Sequence, residues 1–88
     1  MGTDRFAEAQ QRVKTLSKTP DSTALLELYG LYKQATAGDV SGKRPSMLDI
    51  KGRAKYDAWE GRKGMTGPQA EEAYATLVDR LVKADGAG

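Results

Sequence analysis

The sequence predicts an all-α fold of four helices, and three observations carry that prediction. Apolar residues recur at steps of three and four in two stretches, Phe6, Ala9, Val13, Leu16 and then Ala70, Ala73, Tyr74, Leu77, Val78, Leu81, Val82. That is the period of a helix with one buried side. Helix starts and stops are written between them: Asp21 as an N-cap, Gly38 as a C-terminal stop, and Thr66-Gly-Pro-Gln69 as a capping box. No stretch alternates with period two, so nothing reads as a strand.

Taken in order, the first helix opens at Thr3 or Asp4 and runs over about 4–16, where Ser17-Lys18-Thr19-Pro20 breaks it. The second spans about 21–37. Gly30 lies inside it and costs about 1 kcal/mol relative to alanine, which a close helix crossing at that point would explain. Residues Gly38 to Ile50 read as a long loop whose second half is pinned to the core by Met47, Leu48 and Ile50. Loops of that length are usually functional or disordered, and the apolar residues argue against disorder. A third helix runs over about 52–63, carrying Ala54, Ala58 and Trp59, with core packing as the expected role of Trp59. The fourth covers about 67–84, and the last residues, Ala84 to Gly88, read as a frayed tail.

At 88 residues the chain has room for one small domain and no large catalytic cleft. Cysteine and histidine are both absent, which removes thiol chemistry, the commonest general base and the commonest zinc ligand. None of the four serines has a histidine to activate it. Glu71 and Glu72 are neighbours that point apart on a helix and form no metal site, only a solvated face. The stretch Gly38 to Arg44 has the look of a phosphate-binding loop, but Arg44 stands where Ser or Thr should be and no strand precedes it. No enzyme, no metal and no cofactor are expected. Without a membrane-spanning run or a signal peptide, the expectation is a soluble, cytoplasmic protein, and it is expected to be a monomer.

Charge and aromatics then point to a ligand. From Lys33 to Lys63 eight cations face four anions, a net +4, whereas the whole chain carries +2. A concentrated excess of that kind suits a compact anionic partner better than a nucleic-acid backbone. On a helical wheel Leu28, Leu31 and Ala35 share one sector, and Leu25, Leu26, Tyr29, Tyr32 and Lys33 an adjacent one. Together they span roughly 220°, about twice the stripe that a core requires. Glu27 and Gln34 are left for solvent. The second sector serves either a ligand or a second protein face. Tyr29 with Lys33, and Lys51 with Lys55, are each one turn apart, and a phenol with several ammonium groups suits a phosphate.

The chain resembles the acyl-CoA-binding protein family. The residues that carry the likeness are Tyr29-Gly-Leu-Tyr-Lys-Gln-Ala-Thr-Ala-Gly-Asp39, Arg44-Pro-Ser-Met-Leu-Asp49 and Lys51-Gly-Arg-Ala-Lys-Tyr-Asp-Ala-Trp59, with Lys63-Gly64 and Ala73-Tyr74 following. With Phe6, Val13, Lys14 and Leu16 the match covers nearly the whole chain. The resemblance implies an up-down-down-up four-helix bundle that binds medium- and long-chain acyl-CoA esters without catalysis, for transport and pool formation. It implies that Tyr29, Lys33 and Lys55 hold the 3′-phosphate, and that Tyr32, Lys14 and Leu25 line the adenine site. Lys51 and Tyr74 would flank the rest of the head group and the acyl chain, with Leu26 and Phe6 nearby. Gln10, Tyr56 and Gly61-Arg62 depart from the family pattern without touching the phosphate set. A domain this small cannot seal a long acyl chain in its core, so an open groove is expected. The competing readings are a small helical nucleic-acid-binding module and a protein-interaction bundle. The third helix, however, lacks the exposed Asn, Gln and Arg set that reads base edges, and membrane or enzyme contacts are expected to be transient.

Overall fold

The computed structural model describes the backbone of residues 3–87 and the side chains of residues 5–86. Four helices make up the described residues: α1 (Thr3–Arg12), α2 (Ser22–Ala37), α3 (Ile50–Glu60) and α4 (Gly67–Ala87), with a 3₁₀ turn at Val13–Thr15. The arrangement is up-down-down-up. Arg5 reaches Glu72, Arg12 reaches Asp79 and Ser17 reaches Asp85, so α1 and α4 rise together. Gln34 meets Met65 across an antiparallel α2–α4 pair. Gly30 lies against Ala58, and Lys33 against Trp59, along a parallel α2–α3 pair.

Local hydrogen bonding accounts for each boundary that differs from the sequence reading. The α-helical part of α1 stops at Arg12, not near residue 16, because the Thr15 hydroxyl donates to the Arg12 carbonyl at 2.7 Å and tightens the turn. α3 opens at Ile50, two residues early, because the Asp49 carboxylate caps it by accepting from the Gly52 amide at 3.0 Å. It closes at Glu60, where the amides of Arg62 and Lys63 bond three residues back. The capping box forms as expected: the Gln69 amide donates to the Thr66 hydroxyl at 3.1 Å, and the Thr66 amide to the Gln69 side chain at 2.9 Å. α4 continues through Ala84 to Ala87 instead of fraying. The Asp85 carboxylate ties it to Ser17 by accepting from the backbone amide at 3.2 Å and the hydroxyl at 2.6 Å. Gly88 lies outside the described residues.

The core is Phe6, Ala9, Leu28, Leu31, Tyr74, Ala75, Leu77 and Val78, with Val13, Ala35, Leu81 and Val82 packed around it. Phe6 meets Tyr74 edge-on at 5.2 Å between centroids, the arrangement that the ring quadrupoles favour. Glu72 lies on a solvent-facing side as expected, and there it pairs with Arg5.

Three expectations about burial are corrected. Gln34, assigned to solvent, is 1% exposed. Its amide nitrogen donates to the Met65 carbonyl at 2.9 Å and to the Asp39 carboxylate at 2.8 Å, which satisfies both donors of the buried amide and leaves only its oxygen without a protein partner among the described residues. Met47, Leu48 and Ile50, assigned to the core, are 78, 94 and 77% exposed. Polar bonds hold that loop instead. Arg44 grips Asp57 with two bonds of 2.8 and 2.7 Å, the Tyr56 hydroxyl donates to the Gly42 carbonyl at 3.3 Å, and the Trp59 indole donates to the Gly38 carbonyl at 2.7 Å. Trp59 is therefore a half-buried strut for the loop rather than part of the core. Gly38 itself takes φ +82°, the left-handed region, as it ends α2.

The close crossing inferred from Gly30 is present. A Cβ added there would stand against the Ala58 carbonyl, 2.8 Å from its carbon. Gly30→Ala is therefore expected to destabilise the fold by about 1–3 kcal/mol, despite alanine's better helix propensity. The midpoint of chemical denaturation measures this, and an unchanged or raised midpoint would contradict the crossing.

A second expectation concerns pH. The Asp39 carboxylate accepts from the Gly64 amide at 2.9 Å and from Gln34, and these bonds, the Gly64 bond foremost, hold its pKa below the ordinary 3.8. A lowered pKa gives stability that is present above the ordinary value and lost as pH falls through the folded one. Asp39→Asn keeps an acceptor oxygen but not the charge. The parent should be the more stable at neutral pH, and the gap should close as pH drops below about 4. Denaturation curves of both proteins across that range report it; a gap independent of pH would refute the charge effect.

Candidate functional site

The second sector of α2 opens onto two concavities. Gln10, Lys14, Leu25, Leu28, Tyr29, Tyr32 and Tyr74 line the first, of about 360 Å³, between α1, α2 and α4. Ser22, Leu25, Leu26, Ile50, Lys51, Ala54 and Lys55 line the second, of about 400 Å³, between the starts of α2 and α3. Leu25 belongs to both and is 44% exposed, so they form one open surface with Leu25 on the ridge between them. The first side is aromatic, and the second is aliphatic with two ammonium groups.

Tertiary packing places each of these side chains. Phe6, below the surface, tilts against Tyr32 at 6.2 Å between centroids while it meets Tyr74 edge-on. It belongs to the core and supports both rings from behind, without lining either concavity. Burial foremost, with Tyr32 nearby, pushes the Tyr74 phenol above its ordinary 10.0, so it stays a neutral donor and acceptor at physiological pH.

The parallel α2–α3 crossing sets the cations. The Lys55 ammonium lies over the Tyr29 ring at 5.5 Å from its centroid, and the Lys33 ammonium over the Trp59 ring at 4.9 Å. Both are within cation–π reach. The two pairs follow one another along the seam, one helical turn apart on each helix. Lys14, Leu25, Tyr29, Tyr32 and Tyr74 thus meet in the first concavity, and Leu25, Leu26, Lys51 and Lys55 in the second. Lys33 lines neither and rests on Trp59 beside them.

Sequence reasoning passed over Ser22, Leu28, Ile50 and Ala54 as lining residues. For Ile50 and Ala54 the signal was there: once α3 starts at Ile50, the two lie four residues apart on one face. A third concavity, of about 380 Å³ between Thr23, Leu26, Glu27, Asp57, Ala58, Gly61 and Arg62, has a different character. An Arg62–Glu27 ion pair at 3.7 Å belongs to it, and Arg44 occupies Asp57. Its charges are balanced among themselves. Among the described residues no cluster of acidic side chains could hold a metal ion, and no helix is long and apolar enough to cross a membrane.

Residues 3–78 match the family described as Acyl CoA binding protein. The chain is 44% identical to acyl-CoA-binding protein homolog 1 of Caenorhabditis elegans, over 93% of this chain and 95% of that one. It is 42% identical to an acyl-CoA-binding protein homolog of Drosophila melanogaster, again over 93% and 95% of the two chains. The crystal structure of Oryza sativa acyl-CoA-binding protein 2 superposes with a TM-score of 0.94 at 38% identity, covering 100% of this chain and 98% of that one.

Proposed function

This chain belongs to the acyl-CoA-binding protein family, and on that premise we propose that it binds medium- and long-chain acyl-CoA esters for transport and pool formation. The protein is a binder, not an enzyme. One observation supports the reading above the others: an aromatic concavity and an aliphatic one meet at Leu25, with lysines on the rim. A ligand that is both a multi-anionic nucleotide and a long hydrocarbon needs both halves.

In this reading Tyr29, Lys33 and Lys55 hold the 3′-phosphate. Lys55 already stands over Tyr29, and Lys33 reaches the same place by leaving the Trp59 ring. Tyr32, Lys14 and Leu25 take the adenine, offering a flat ring, a cation and an apolar floor. Lys51 and Tyr74 flank the remaining head group, and Leu26 with Ala54 and Ile50 lines the path of the acyl chain. A sixteen-carbon chain removes about fifteen methylenes from water at roughly 0.8 kcal/mol each, on the order of 12 kcal/mol before immobilisation and incomplete enclosure subtract. Both concavities are open, so the folded nucleotide must itself cover part of the chain. The protein works as a cytoplasmic monomer that meets membranes or enzymes only to exchange ligand. A nucleic-acid reading draws no support from α3, which lacks a set of exposed Asn, Gln and Arg to read base edges, and whose Lys55 lies over the Tyr29 ring of α2.

Titration calorimetry with palmitoyl-CoA, free CoA and palmitate should show the ester binding far more tightly than either part. Equal affinity for palmitate would end the proposal, since the lysine–tyrosine rim would then contribute nothing. Lys33→Ala should weaken palmitoyl-CoA binding by about 2–5 kcal/mol, the range for truncating one partner of a desolvated charge pair. Its effect on fold stability should be only about 0.5–1 kcal/mol, the lower end of the range for a cation–π contact, since the Lys33–Trp59 pair is only half-buried. The variant should hardly distinguish palmitoyl-CoA from its 3′-dephospho analogue, whereas the parent prefers the phosphorylated form. A coupling energy near zero in this double comparison would remove Lys33 from the phosphate site.

A further inference from the structure

The apolar side chains at Met47, Leu48 and Ile50 have no role in the core, and the ligand reading uses only Ile50. Met47 and Leu48 line none of the three concavities. Contiguous large apolar residues this exposed mark a contact with something else. The turn that presents them is well defined: the Asp49 amide donates to the Ser46 carbonyl at 3.0 Å, and Asp49 then caps α3. They are held out in water by a fixed backbone.

Their surroundings are cationic. Between Lys43 and Lys55, five cations (Lys43, Arg44, Lys51, Arg53, Lys55) stand against one anion, Asp49, for a net +4 where the whole chain carries +2. Arg44 is engaged by Asp57, and the others have no acidic partner within ion-pair distance among the described residues. Ile50 and Lys51 also form the edge of the aliphatic concavity, so the ridge borders the mouth of the groove.

We infer that this ridge is the surface by which the protein lies on an anionic phospholipid bilayer. Met47 and Leu48 enter the interfacial layer, and Lys51 and Lys43 meet the head-group phosphates. Apolar side chains flanked by lysines are the combination that binds such interfaces, because each contribution is marginal alone and sufficient together. Met47 and Leu48 project from the turn and border none of the concavities described above, which suits a fluid acyl layer flanked by phosphates better than a partner that inserts a side chain. The consequence for ligand exchange rests on the acyl-CoA reading above. With the groove's edge on the bilayer, an acyl chain passes from lipid to Leu26 and Ala54 without crossing bulk water.

The test uses vesicles that contain no acyl-CoA, so its outcome is separate from ligand binding. Parent protein and a Met47→Ser/Leu48→Ser double variant are sedimented with phosphatidylcholine vesicles with and without phosphatidylserine. The parent is expected to associate with the phosphatidylserine vesicles and to be released by added salt. The double variant should lose about tenfold or more in partition while keeping its helical circular dichroism and its solution affinity for palmitoyl-CoA. Equal association of parent and variant, or no preference for anionic vesicles, overturns the proposal. So does a variant that loses palmitoyl-CoA in solution, since the ridge would then belong to the ligand site. Retention of a single acidic protein by the ridge, with no vesicle association, assigns it to protein docking and equally overturns it. If ridge-dependent vesicle association is found but palmitoyl-CoA does not bind the parent, the bilayer surface stands and the acyl-CoA reading falls.

Discussion

The contact on which the rest of the molecule depends is the meeting of α2 and α3 at Gly30 and Ala58. Without a side chain at Gly30, the two backbones approach until the Ala58 carbonyl lies where a Cβ would be. That approach is what lets side chains from one helix reach over rings of the other. Lys55 covers Tyr29 on one side of the crossing, and Lys33 covers Trp59 on the other. A wider separation would lengthen the reach that each lysine needs to its ring and widen the aliphatic concavity that Leu26 and Ala54 line. The glycine's unfavourable helix propensity, about 1 kcal/mol, is thus offset by geometry that no larger residue permits.

Running two helices parallel has a further requirement, a connection long enough to return along their full length. Here that connection carries few buried apolar groups and is fixed by directional bonds instead. Gly38 is held by the Trp59 indole, Gly42 by the Tyr56 phenol and Arg44 by the Asp57 carboxylate, all three partners lying within four residues on α3. At the loop's start, Asp39 links the buried Gln34 to the Gly64 turn. The Arg44 guanidinium holds the Asp57 carboxyl below its ordinary 3.8, so this bracing is charge-assisted at neutral pH. A loop braced by polar bonds can leave its apolar residues outside, which a loop held by burial could not.

The helical character of the chain was readable because periodicity is local: Phe6, Ala9 and Val13 need no knowledge of their partners to show a face. The capping box at Thr66 and Gln69 was readable for the same reason. Gln34 was not, since its burial depends on a carbonyl 31 positions away at Met65. The exposure of Leu48 was hidden because an apolar residue between helices looks like an anchor, and only the competing polar bonds show that none is needed. Trp59 looked like core for similar reasons. Of the candidate site, Tyr29, Tyr32, Lys51, Lys55 and Tyr74 come together much as their spacing on separate helices allowed. The position of Lys33 on an indole from another helix was beyond any single-helix wheel. The order and direction of the helices came from family likeness, because no wheel reports handedness or crossing.

The parallel pairing of the first and last helices bears on how the chain is made. Among the described residues α1 packs mainly on α4, and the Arg5–Glu72, Arg12–Asp79 and Ser17–Asp85 bonds join residues 67 or 68 positions apart. Helical proteins usually fold quickly because their contacts are local, and these are not. Closing so long a segment carries an entropy that grows by about 0.6 kcal/mol with each doubling of length. On a ribosome the first helix to emerge would find its packing surface only when the last is nearly complete. α2 and α3 can assemble on each other in the meantime, so the seam that carries the lysines is able to form before the bundle closes.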